Sequence, residues 1–273
     1  MSDRDNPRLG GMALANGLLV HGPTHWAAAV RGADGQVTVA SGRKPRFVRG
    51  PLADIPVVRG VLRMAEALAV VPAARRGTPG ARLAMENVTV IVAMVGTTAI
   101  TALARRRMRS VLGQETLGAV AGLIPALVAL RASDAAMWHG VEHKSIAAYE
   151  QGGAAEVANA AAHAKEHPRC GSNLVLPLMT ATVLCNTAIR KIVKHPSPGL
   201  RLTTTAVSVG AAVELFSFAT RRPEHPVARM VHAAGHAMQA RLATIEPAHE
   251  DLAVGRAAMD EILRLEDLAQ PTR

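Results

Sequence analysis

Four long runs without charge constrain this chain more than any other feature. They are Asn87 to Ala104, Thr116 to Leu130, Gly171 to Ile189, and Leu202 to Thr220, the last carrying a single acid, Glu214. A helix needs about 20 apolar residues to cross a bilayer core of about 30 Å. The first, third and fourth runs approach that length; the second falls short. All four are rich in Ala, Gly and Thr, which lets helices pack closely in lipid. Two readings stay open: four transmembrane helices, which we expect, or four buried helices of a soluble bundle.

Charge supports the membrane reading. The 273 residues hold 31 Lys and Arg against 21 Asp and Glu, a net charge of +10. Basic clusters flank the apolar runs, as in Arg105-Arg-Arg-Met-Arg109 and Arg190-Lys-Ile-Val-Lys194, and such clusters suit an anionic lipid surface. Aromatics make up only 2%, so the chain offers no stacking platform for nucleic acid, and none is expected as a partner. Any core must come mainly from Ala, Val, Leu, Ile and Met. Two cysteines, Cys170 and Cys185, make no disulfide framework and suit a reducing compartment. Met1 to Arg8 is polar and does not read as a signal peptide.

The remaining chain divides around these runs. Residues 1–10 read as a disordered tail. Residues 11–83 read as a β-rich segment followed by an amphipathic helix. The β segment comprises Met12 to Val20, Trp26 to Arg31 and Gln36 to Ala40, separated by turn signals at Gly22-Pro23 and Ala33-Asp34-Gly35. The helix spans Val57 to Val71, with Val58, Val61, Leu62, Ala65, Leu68 and Ala69 on one face, and a Pro/Gly/Arg linker follows over 72–83. Membrane helices occupy 84–223 around an insert, 131–171. A helical segment, 224–273, closes the chain, broken at Pro247. The expected fold is therefore mainly α with a small N-terminal β segment.

The insert carries the chemistry. In Trp138-His-Gly-Val-Glu-His-Lys144, His139 and His143 are four residues apart and share one helix face. Glu142 lies near that face. His-x-x-Glu-His inverts a zinc-protease motif of two ligands and a general base, but five residues alone match equally well a solvated polar face. His167-Pro-Arg-Cys170 adds an imidazole and a thiol around a proline-fixed turn. The four side chains are a tetrahedral set for a divalent metal, zinc-like in ligand chemistry. If all four bind, the site is closed and structural. If three bind, a water takes the fourth place, and Glu142 can accept its proton. The open arrangement is the expectation, because a structural site needs no glutamate between its ligands. Lys144, Glu150 and Arg169 are candidates to support the ligands. Glu214, an acid in an apolar run, is a further functional candidate, or a partner of Arg221 or Arg190. His232 and His236 also share a helix face, but no carboxylate accompanies them and they read as polar surface.

The segments Trp138-His-Gly-Val-Glu-His-Lys-Ser-Ile-Ala-Ala-Tyr-Glu150 and His167-Pro-Arg-Cys-Gly-Ser172 resemble the YqhQ family, a bacterial family of unknown function described as predicted metal-dependent membrane enzymes. Gly10-Gly-Met-Ala, Gly22-Pro23, Trp26-Ala-Ala-Ala-Val-Arg31, Ile55-Pro-Val-Val-Arg-Gly60, Glu214-Leu215 and Arg241-Leu-Ala-Thr-Ile-Glu-Pro247 extend the likeness over most of the chain. The resemblance implies four membrane helices, with the metal segment between the second and third and facing the cytoplasm. The charge of the short loops points the other way; a reduced Cys170 fits the cytoplasm, which is the expectation adopted. This chain departs from the family at Asn16, where an acid is usual, and at His21, where an arginine is usual. If that acid serves catalysis, Asn16 bears on turnover. The family's reaction is not established. The resulting expectation is a multi-pass cell-membrane hydrolase acting on a small molecule or peptide, with lipid as partner and a homo-oligomer allowed. The alternative is a non-catalytic membrane scaffold or assembly protein with a structural His/Cys metal site.

Overall fold

A computed structural model describes residues 7–47, 50–193 and 195–269. Residues 1–6 of the tail expected over 1–10 lie outside these residues. The end of that segment is structured instead, because Leu9 is buried and followed directly by the first strand.

Four strands form an antiparallel meander in the order β1 (Gly10–Ala13), β2 (Gly17–His21), β3 (His25–Arg31) and β4 (Val37–Arg43). The apolar run from Met12 to Val20 is not one strand but two, because the chain reverses at Ala15 and Asn16. The Asn16 amide fixes that turn. It donates to Arg31 O and Gly80 O, each at 3.0 Å, and accepts from Arg82 N at 2.9 Å. The Asp34-Gly35 turn forms as the sequence predicts, with Gly35 at φ 79° and Asp34 accepting from Gln36 N.

Helices cover both faces of the sheet, so β2 and β3 are buried on both sides rather than alternating. Leu18, Val20, Ala27 and Ala29 pack against α5 (Ala135–Gly152) and α9 (His249–Ala269). Leu19, Trp26 and Ala28 pack against Val70 and Ala74 of α1 (Val58–Gly77). Both tryptophans and the single tyrosine are buried in this core; none of the three phenylalanines is among its buried residues, and Phe47 is exposed.

Helix α1 runs six residues beyond the expected end, through Pro72, because Val70 and Ala74 gain apolar burial against Trp26. The predicted apolar stripe is not what the protein covers. Leu68 and Val58 are exposed, and α1 instead turns Gly60 toward α7 (Pro198–Arg221).

The four apolar runs form four candidate membrane spans: α2 (Val88–Arg107), α3 with α4 (Val111–Ala121 and Ile124–Arg131), Gly171–Ile192 containing α6 (Val175–Ile192), and α7. The second span is longer than its uncharged run, because Glu115 lies inside it. That acid is neutralised by Arg105 at 3.1 Å and Arg190 at 2.6 Å, and Asn186 donates to it at 3.0 Å. The cluster ties α2, α3 and α6 together. Outward-facing apolar side chains on the spans, such as Val88, Ile100 and Leu202, are about 70% exposed (70%, 71% and 73%). A soluble bundle would bury them; lipid suits them. The sheet, α5 and α9 all lie at the end of the spans where Arg131 and Gly171 emerge, opposite the end that holds 108–110 and Arg190. After α7, α8 (Pro226–Met238) is followed by a wide turn, Gln239–Ala243, and an extended stretch to α9.

Candidate metal centre

Helix α5 is buried almost all round, from Ala135 to Tyr149. The sheet, α9, the 3-10 turns of Ala154–Ala162 and the stretch 243–247 enclose it. The last of these crosses α5 very closely: Ile245 N donates to Ala136 O at 2.9 Å. A Cβ on Gly140 would lie 2.2 Å from Ile245 O, so only glycine fits there.

That crossing orients one histidine. The Nδ1–H of His139 donates to Ala243 O at 2.9 Å. The Nδ1–H of His143 donates to Lys165 O at 2.6 Å. Both rings therefore turn Nε2, with its lone pair, inward. His139 Nε2 meets the Cys170 thiol at 3.2 Å, while His143 Nε2 is buried without a hydrogen-bond partner among the described residues. One ligand atom from each of His139, His143 and Cys170 lies within 4.8 Å of the others. Cys170 is placed by the turn that starts the third span, where Ser172 N donates to its sulfur at 3.3 Å. The structure thus brings together three of the four ligand candidates.

His167 stands apart from that set. Arg169 N donates to its Nδ1 at 3.3 Å, and its Nε2–H donates to Glu150 at 3.0 Å. Its ring centre is 5.7 Å from that of His143. Glu150 also receives Arg169, whose guanidinium donates to Leu9 O as well. Lys144 is buried and faces away from the cluster. It donates to Ala161 O and His163 O and pairs with Glu246 at 2.7 Å, pinning two segments that wrap α5. Asn16 is committed to its turn, as described above. Glu214 pairs with neither Arg221 nor Arg190. Arg59 of α1 holds it through two bonds of 2.7 and 2.6 Å. The Nε2–H of His232 donates to Ala219 O at 3.2 Å, and among the described residues His232 makes no metal cluster with the exposed His236.

Glu142 is buried beside the cluster, against Gly11 of β1, where an added Cβ would meet its Oε1 at 2.6 Å. Burial pushes its carboxyl up to about 7, with His139 pulling the other way. Burial holds the Cys170 thiol up at about 11, reinforced by Glu142. Burial, then His139, lowers His143 to about 2, so this imidazole is neutral and its lone pair free. Burial lowers His167 to about 4.

The carbonyls of Ala243 and Lys165 are the functional groups that sequence reasoning missed. Every residue has a carbonyl, so no residue type marks them.

Residues 131–265 match the model of a family described as "Protein of unknown function (DUF1385)". This stretch is just under half of the chain. It contains His139, Glu142, His143, His167 and Cys170, and leaves Asn16 and the sheet outside, a narrower span than the resemblance drawn from sequence. No curated protein and no solved structure matches the chain.

Proposed function

We propose that the protein is a metal-dependent membrane hydrolase of the YqhQ kind, with His139, His143 and Cys170 as ligands and Glu142 as general base. One observation carries this reading. Two imidazoles, each locked by a backbone carbonyl at Nδ1, aim Nε2 at one thiol, and one of those nitrogens is buried without a partner. Metal-binding histidines are held in this way, their second nitrogen donating to a carbonyl or carboxylate. An unpaired buried nitrogen otherwise costs about 1–3 kcal/mol. Two imidazoles and a thiolate suit a zinc-like divalent ion, and three protein ligands are the number found in catalytic sites.

When bound, such an ion supplies Lewis acidity and lowers the pKa of a nearby water toward about 7. Glu142, with its carboxyl near 7, is matched to accept a proton at neutral pH and return it. His139 is the partly exposed member of the set and marks the side from which a substrate approaches. We place the site on the cytoplasmic side of the cell membrane, where Cys170 and Cys185 stay as free thiols.

Metal analysis of the purified chain tests this reading. We expect one divalent ion per chain, lost in His143→Ala and Cys170→Ser and kept in Glu142→Gln. A chain without stoichiometric metal contradicts it. The scaffold reading, with a closed four-ligand site, is separated by His167→Ala: the metal stays under our reading and leaves under that one.

A further inference from the structure

A cavity of about 690 Å³ opens beside the candidate centre, lined by Arg8, Tyr149, Glu150, Arg169, Arg221 and His232 among others. Arg221 is the last residue of α7, so the cavity lies where that span leaves the bilayer. Arg169 is committed to Glu150 and Leu9 O. Arg8 and Arg221 are exposed and have no hydrogen-bond or ion-pair partner among the described residues. Three guanidiniums against one carboxylate leave two positive charges uncompensated at the cavity. His232 also lines the cavity: its Nε2–H donates to Ala219 O, and its buried Nδ1, without a partner among the described residues, donates to an anion only when the ring is protonated. Two unpaired guanidiniums match the charge of a phosphate monoester, about −1.5 to −2 at neutral pH, and each can bind its oxygens with two donors.

We propose that this cavity binds the phosphate group of an anionic ligand, through Arg8 and Arg221 with His232 beside them. The phosphate belongs either to a lipid headgroup, which sits at this depth of a bilayer, or to a soluble phosphate ester. The cavity wall reaches the metal centre through two side chains: Glu150 accepts from His167, whose ring neighbours His143. That the bound molecule is the substrate rests on the hydrolase reading; that it binds does not.

Calorimetric titration of the full chain in neutral detergent tests the proposal, with inorganic phosphate and dihexanoyl phosphatidic acid as probes and dihexanoylglycerol as control. Both phosphate probes are expected to bind one per chain, and the neutral control not to bind. Arg8→Gln with Arg221→Gln is expected to weaken binding about a hundredfold, roughly tenfold per arginine. Its melting temperature and metal content should match the parent, because neither side chain has a partner to lose. Phosphatidic acid binding at least about tenfold tighter than phosphate assigns a lipid headgroup; equal affinities assign a soluble ester. Absence of saturable binding by either probe, or binding unchanged in the double variant, overturns the proposal. Binding by a chain that holds no metal would leave this site standing and remove the hydrolase reading.

Discussion

His139 and His143 face one way because they are one helical turn apart, but facing one way does not make a ligand pair. The carbonyls of Ala243 and Lys165 fix which nitrogen each ring presents, as the proposed ligand pair requires. The protonation states then set how metal uptake depends on pH. As a ligand, His143, lowered to about 2, would bind without losing a proton, whereas the Cys170 thiol, raised to about 11, would have to lose one. Below the thiol pKa each pH unit raises the thiolate fraction tenfold, so metal affinity should rise with pH. From about pH 7.5 to about pH 9, above the Glu142 titration, competition with a chelator should show an increase of about tenfold per unit; a flat profile would exclude Cys170. Asn16 gives a second expectation. An aspartate there would face the carbonyls of Arg31 and Gly80 with acceptors only. Asn16→Asp should destabilise the fold by about 1–3 kcal/mol in a denaturant titration and leave metal content unchanged. The His and Cys residue types were legible in the sequence, and so was the shared face. The exclusion of His167 was not, because it depends on Glu150 and Arg169 competing for its ring nitrogens.

At the scale of elements, the site depends on a backbone crossing. Gly140 lets the stretch around Ile245 lie against α5, and that stretch carries the Ala243 carbonyl. Gly140→Ala should push it away and release the His139 ring, lowering metal affinity about 10- to 100-fold while His143 keeps its Lys165 contact. Equilibrium dialysis measures this, and unchanged affinity would show that the crossing does not position His139. The α1–α7 crossing is built likewise: a Cβ on Gly210 would lie 2.4 Å from Val57 O. Gly210→Val should therefore separate the helices, with an overpacking cost of about 1–3 kcal/mol, and speed proteolysis within α1. Both crossings explain what the sequence hid. The 3.6-residue period of α1 is visible, but which side meets protein depends on Gly60, Gly210 and the Arg59–Glu214 pair, 155 residues apart. The second span looked short because its acid, Glu115, is paired with arginines from two other helices. The strands, by contrast, were legible from their turns, apart from the reversal at Asn16.

For the whole molecule, two short basic loops lie at one end of the spans and the sheet, α5 and α9 at the other. A Cys185→Ser chain, which keeps only the buried Cys170 and serves as the blank, with one cysteine added at Arg109→Cys or Gln151→Cys, reports this arrangement to an impermeant thiol reagent on intact cells. Labelling at 109 alone fits a cytoplasmic site; labelling at 151 alone reverses the orientation, and equal labelling contradicts four spans. All the chemistry proposed for the chain depends on three side chains meeting one ion. X-ray absorption at the metal edge of the purified protein tests that most directly. It should show one sulfur at about 2.3 Å and two imidazole nitrogens at about 2.0–2.1 Å, with the sulfur lost in Cys170→Ser. A shell without sulfur, or one with three imidazoles, would contradict the centre described here.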